Sequence, residues 1–442
     1  MSESTTDRSN SFGMPRVSRR GLFGSAIVAA GAATAGVVAG RVTAPGETTS
    51  RTVAFHAAHQ AGIATTAQSH ALFLSCDLAS RDRGVLRDLL AAWTATAAAL
   101  TAGTRVPDKP GSAAGFSDHT DFATGLDPAR LTITLGLGPA VFAEWSGLAD
   151  RRPRHLTDLP EFPGDKLRGS WTGGDIMAQI CSDDPQIVSH AFRALRARMP
   201  GLAKLRWTQH GFLSRPADGG TPRNMFGHKD GTANPSAGST AFDAAVWVNA
   251  PEEPEWFHGG TYLVFRKIRM STAEWDQLSR PEQDRIIGRR RDDGSPLSGS
   301  VETDPVDLDA RAANGEPVIP ADAHVRLVHG IPMLRRGYSY DYGTLVATSA
   351  ATDSGAAAES VPAHSHPDGT DPDHKHGGHA QLDAGLLFAA YMNNPPEQFI
   401  RAQRLLAATD RLNTVIQHTG SAIFAMPPGI TLGQPIGAGL GL

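Results

Sequence analysis

Hydrophobic and polar positions along the chain switch between two spacings, and the order of the switches predicts the architecture. Residues 69–78 form an apolar run that reads as a strand, and residues 83–102 place Val85, Leu89, Leu90 and Trp93 on one face of an amphipathic helix. Residues 130–137 alternate and read as a second strand. A strand at 175–181, a helix opened by proline at 185–199 and a strand at 203–211 follow. Cys76-Asp77 and Cys181-Ser182-Asp183 fall at matching places in this βαβ–βαβ order, which describes a ferredoxin-like unit.

The second half repeats the plan. Strands are predicted at 261–270, 338–346, 385–392 and 421–426, with helices at 272–290 and 396–417. The last helix carries Phe399, Leu405, Leu406, Leu412 and Ile416 as its apolar residues. The expectation is an α+β protein of two ferredoxin-like domains (tandem βαββαβ), 53–215 and 216–442, facing one another across a large cleft suited to a cofactor. Two stretches break the pattern. Residues 291–320 are polar and rich in Gly, Pro and Asp, a loop; residues 349–380 are a low-complexity insert holding His364, His366, His374, His376 and His379.

Composition adds limits. With 442 residues, 40% hydrophobic content and 47 glycines, the chain has room for about two loop-rich globular domains. Its formal charge is −4, yet residues 1–50 hold five arginines and three acids, so removing that +2 leaves −6 on the remainder. A body of that sign argues against nucleic acid as a partner. Two cysteines, Cys76 and Cys181, are too few for a disulfide framework or thiolate cluster, and read as buried strand residues.

Ser18-Arg19-Arg20-Gly21-Leu22-Phe23 opens an uncharged Ala/Gly/Val stretch that ends before Arg41. Its length could span a bilayer, but Ala and Gly carry little transfer energy. Paired arginines before a modest hydrophobic region make residues 1–44 a twin-arginine (Tat) signal. The expectation is export of the folded protein by the Tat machinery to the cell envelope or beyond, with no stable membrane anchor.

The candidate chemistry centres on residues 221–235, Thr-Pro-Arg-Asn-Met-Phe-Gly-His-Lys-Asp-Gly-Thr-Ala-Asn-Pro. Gly227 and Gly231 bracket Asp230, which makes a turn shaped to present one carboxylate. Downstream lie His324 in Ala-Asp-Ala-His-Val-Arg-Leu, His329 five residues on, and the pair Arg335-Arg336 in Leu-Arg-Arg-Gly-Tyr-Ser-Tyr. Together with His59-Gln60-Ala61-Gly62-Ile63, Gly385-Leu386-Leu387-Phe388 and His418-Thr419-Gly420-Ser421-Ala422-Ile423-Phe424, these stretches resemble the motifs of dye-decolourising (DyP-type) haem peroxidases. Gly-His-Lys-Asp-Gly is similar to that family's GxxDG signature.

The resemblance implies a cofactor, haem b (iron protoporphyrin IX), in a cleft of the C-terminal domain. His324 would be the axial iron ligand, with His329 the rival. Asp230 would be the distal acid–base group and Arg335 the distal cation, with Arg336 the alternative. Gly231, Arg326, Leu387 and Phe388 would contact the cofactor. The implied activity is reduction of hydrogen peroxide and oxidation of dyes, phenols or other bulky organic reductants through a ferryl state, with Tyr338, Tyr340 and Trp256 as candidate electron relays. Carboxylates as a class have reference pKa values of about 4, so the family's acid–base chemistry predicts an acid optimum. Two other readings stay open: deferrochelatase-like release of iron from haem, and a non-enzymatic haem or metal carrier prompted by the His-rich insert. The oligomeric state is also open.

Overall fold

The computed structural model describes residues 51–106, 122–345 and 381–442. The signal segment and the His-rich insert lie outside the described residues. The described residues form one compact unit.

The first half runs β1 (His70–Leu78), α1 (Arg83–Thr101), β2 (Thr132–Leu137), β3 (Ile176–Ser182), α2 (Pro185–Ala197) and β4 (Ala203–Phe212). Both helices begin where an aspartate accepts backbone N–H groups: Asp82 from Gly84, Asp184 from Gln186 and Ile187. The second half contains α3 (Thr240–Val246), β5 (Thr261–Met270), α4 (Thr272–Asp276), α5 (Arg280–Ile287), α6 (His324–Leu327), β6 (Leu334–Leu345), β7 (Gln381–Met392), α7 (Arg401–Thr409) and β8 (Ile416–Met426).

Every ladder is antiparallel, and each half builds a four-stranded sheet of the same order. The first sheet runs β4-β1-β3-β2 and the second β8-β5-β7-β6. Both therefore place their strands fourth, first, third and second, the ferredoxin-like order twice over. Single residue pairs, Leu137 with Ala425 and Phe212 with Ser339, join the sheet edges into a closed barrel.

The facing sheets leave no open cleft. Phe73, Met177 and Trp207 from the first meet Phe265, Tyr338, Leu387, Tyr391 and Phe424 from the second, all buried. Phe265 stacks on Trp207 at 5.0 Å and tilts against Phe73 at 5.0 Å. The expected cleft between the halves is thus a packed core. Dispersion and apolar burial fill the gap between two apolar sheet faces.

Two predicted helices divide. Residues 272–290 become α4 and α5, because Ser279 and Glu282 form a capping box, Pro281 lies in the first turn of α5, and Gly288 ends it with φ of 91°. Residues 396–417 break at Asp410, whose φ of −64° and ψ of 118° are extended. Asp410 instead caps the next short turn by accepting the Leu412 N–H, and β8 starts at Ile416, earlier than expected. β6 and β7 likewise begin ahead of their predicted starts, and α3 was not foreseen.

Because Phe265 touches both halves of the barrel interior, Phe265→Ala is expected to lower stability by about 3–5 kcal/mol in a single cooperative urea transition. Two transitions, with only one displaced, would show that the halves unfold independently.

Candidate active site

The glycine-flanked loop is anchored at nearly every side chain except one. Arg223 donates to the Gly227, Arg291 and Asp292 carbonyls, and its backbone bridges to Lys229. Lys229 and Thr232 both reach Glu302. His228 is buried, with Nε2 3.2 Å from Asp284 and its ring edge against Trp275. Gly227 and Gly231 have φ of 79° and 108°, and a Cβ on Gly227 would lie 2.5 Å from the Arg291 guanidinium. A side chain at either position would strain or displace the loop. The Asp230 N–H donates to the Pro222 carbonyl, whereas its half-buried carboxylate has no hydrogen-bond partner among the described residues.

That carboxylate lies over β6. Asp230 Oδ2 would be 3.4 Å from a Cβ added to Gly337. Along β6 the side chains alternate: Arg336, Tyr338 and Tyr340 are buried, while Arg335 and Gly337 are half-exposed on the outer face. A cavity of about 280 Å³ brings Asp230, Gly231, Asn234, Arg335, Gly337 and Leu386 together. Arg289, half-buried behind them, has its pKa lowered by burial and, more weakly, by the charge of Arg335.

Arg336 also touches this cavity, but its guanidinium turns into the barrel. There it donates to the Ile63 and Thr65 carbonyls, to Gln68 and to the Tyr338 hydroxyl. The same alternation corrects one expected contact. Leu387 is fully buried inside the barrel, opposite Tyr338. Its neighbours Leu386 and Phe388 take the outer face, half-exposed.

His324 opens the four-residue α6 and does not line the 280 Å³ cavity. Its Nδ1 is 2.7 Å from Asp410 Oδ2, a carboxylate whose side chain is 1% exposed. Asp410 was missing from the expected site; the only sequence signal was a lone aspartate in what read as an uninterrupted helix. With Nδ1–H given to Asp410, Nε2 keeps its lone pair and meets no hydrogen-bond partner among the described residues. His329 is exposed. Arg326 spends Nε and Nη2 on the Ile319 and Leu308 carbonyls, tying α6 to the preceding loop.

These residues fit a porphyrin iron. An oriented imidazole nitrogen is available, and Val328, Ile331, Leu386 and Phe388 are apolar yet only half-buried against the cores. Phe388 meets Phe399 at 6.2 Å. Of the relay candidates, Tyr338 and Tyr340 are fully buried, and Trp256 is half-exposed with its Nε1–H on the Arg151 carbonyl. Tyr342, 45% exposed, sits 5.1 Å from Tyr340.

The fold is a duplicated ferredoxin-like barrel with an aspartate loop and an arginine over its second sheet. Residues 60–213 match the Dyp-type peroxidase N-terminal family and residues 221–431 its C-terminal family. The chain belongs to the Dyp-type peroxidases and is a haem peroxidase. It is 38% identical over 403 residues to a dye-decolorizing peroxidase of Thermobifida fusca, covering 86% of this chain and 84% of the relative. It is 33% identical over 389 residues to a deferrochelatase of Escherichia coli, covering 85% and 84%. The structure of ferric DtpA from Streptomyces lividans superposes with a TM-score of 0.75 at 34% identity, covering 88% of this chain and 97% of that one.

Beside Phe388 on the outer face, Arg266 forms a buried ion pair with Asp165, and His418 Nδ1 lies 3.5 Å from the same carboxylate. Burial, reinforced by Arg266, pushes the His418 pKa down to about 3. The unfolded chain binds a proton there near pH 6.5 that the folded protein refuses, so stability present at neutral pH is lost as pH falls from about 6.5 towards 3. His228, His155 and His210 are lowered by burial in the same direction. His418→Gln is expected to flatten part of the fall in unfolding free energy between pH 7 and pH 4. An unchanged slope would remove His418 from the account.

Proposed function

We propose that Asp230 and Arg335 carry the peroxide chemistry of the haem, and that His324, held by Asp410, would hold its iron. The observation that supports this reading best is the free Asp230 carboxylate, held over Gly337 beside Arg335 by a loop whose other side chains are tied down. When bound, the haem would supply the two electrons that reduce the peroxide O–O bond. The Asp230 carboxylate takes the proton from the inner peroxide oxygen and returns it to the outer one, which leaves as water. The Arg335 guanidinium stabilises negative charge developing on that leaving oxygen. Asp410 holds the His324 ring through Nδ1–H, which would leave Nε2, with raised basicity, to hold the metal. Leu386, Phe388, Val328 and Ile331 offer apolar surface to the macrocycle, and Gly337 keeps the space beneath Asp230 clear.

Dyes and other bulky organic donors are the reductants that fit this reading, as in the name of the Thermobifida relative. The pattern Ser18-Arg19-Arg20 supports Tat export of the folded holoprotein. The domain limits proposed are 53–215 and 216–442. Iron release from haem and a carrier role have less support, and product analysis separates them, because protoporphyrin appears only in the first.

Asp230→Asn and Arg335→Leu should each slow the peroxide reaction at least a hundredfold, followed by stopped-flow absorbance, with hemin still bound. Peroxide kinetics unchanged in both variants would remove the two residues from the mechanism. Asp410→Asn should weaken hemin binding or activity by roughly 10–100-fold, since the imidazole loses its charged acceptor. Hemin titration monitored by the Soret band measures it.

A further inference from the structure

We propose that Asn234 is the positioning residue that sets Arg335 against Asp230. β6 has a free edge at this point, because its only pairing to β4 is Phe212 with Ser339, four residues beyond Arg335. The Asn234 side chain takes the place of the missing strand. Its Oδ1 accepts the Arg335 backbone N–H at 3.0 Å, and its Nδ2 donates to the Arg335 carbonyl at 2.8 Å. An amide offers a donor and an acceptor at the spacing of a peptide group, so it satisfies both backbone groups at once. The same Oδ1 lies 3.4 Å from Arg335 Nε and biases the guanidinium as well as the backbone.

Asn234 also belongs to the Asp230 loop. Its N–H donates to the Gly231 carbonyl, and its Nδ2 is 3.5 Å from where a Gly231 Cβ would be. One side chain therefore ties the turn carrying the carboxylate to the strand carrying the guanidinium. Arg335 has no carboxylate partner among its ion pairs and hydrogen bonds in the described residues, so no charge holds it in place of Asn234. Aspartate in its place would keep an acceptor for the Arg335 N–H. It would lose the donor to the carbonyl and put a negative charge beside the guanidinium.

This inference rests on the proposed roles of Asp230 and Arg335. The test uses the haem-loaded full chain and four variants: Asn234→Ala, Asn234→Asp, Arg335→Leu and the double variant Asn234→Ala with Arg335→Leu. In Asn234→Ala, hydrogen exchange at the Arg335 amide should quicken about tenfold with the thermal midpoint little changed, because one net hydrogen bond is lost there. The peroxide rate should fall about tenfold or more. Added to Arg335→Leu, Asn234→Ala should cause no further loss, since a positioning residue has nothing left to position. Asn234→Asp should keep the amide protected yet still slow the peroxide reaction, which separates lost function from a loosened strand. Unchanged amide exchange in Asn234→Ala, or an equal loss of rate with and without Arg335, would overturn the proposal. A wild-type rate in Arg335→Leu alone would instead overturn the role of Arg335, and amide exchange would still report whether the tether exists.

Discussion

Side-chain alternation along β6 and β7 is the constraint on which the candidate site depends. Each step of one residue moves a side chain from a sealed barrel interior to a half-open outer face. Arg336, Tyr338 and Leu387 are thereby committed to the core, and Arg335, Gly337, Leu386 and Phe388 to the outer face. A slip of one residue in the register of β6 would exchange the two arginines. The packing of Tyr338 edge-on against Phe73 at 6.2 Å opposes such a slip, because the filled interior has no room for the other set.

Closing the barrel has a further consequence for chemistry. With the space between the sheets filled, the candidate site is assembled from segments laid over the outside of the second sheet. These are the glycine-bracketed loop, α6 and the break after α7. None of them has a long regular element to hold it, and polar anchors do that work instead. The loop is fastened through Arg223, Lys229 and His228, α6 through Arg326, and the imidazole of His324 through Asp410. Rigid support of a few polar groups over an apolar floor is what preorganised catalysis needs.

Acid pH acts on this frame through its buried histidines, and His418 above all withdraws stability as pH falls.

Much was legible in the chain. The duplicated βαββαβ order, both buried cysteines, the Gly-flanked aspartate and the His and Arg motifs all follow from local patterns or from family-like strings. Local pattern failed where a distant partner decides the outcome. Asp410 sits in a helical sequence, but capping the next turn and holding His324 cost it the helix. Leu387 and Leu386 are chemically identical, and only the register against β6 and β5 tells which one takes the outer face. Asn234 looks like part of a surface turn until the free edge of β6 is brought beside it. The amino-acid order alone determined which elements form and which chemical groups are available, because those depend on neighbours within a turn or two. Which face each group takes, and what holds it there, depended on contacts between residues about a hundred positions apart, and only the folded chain brings those together.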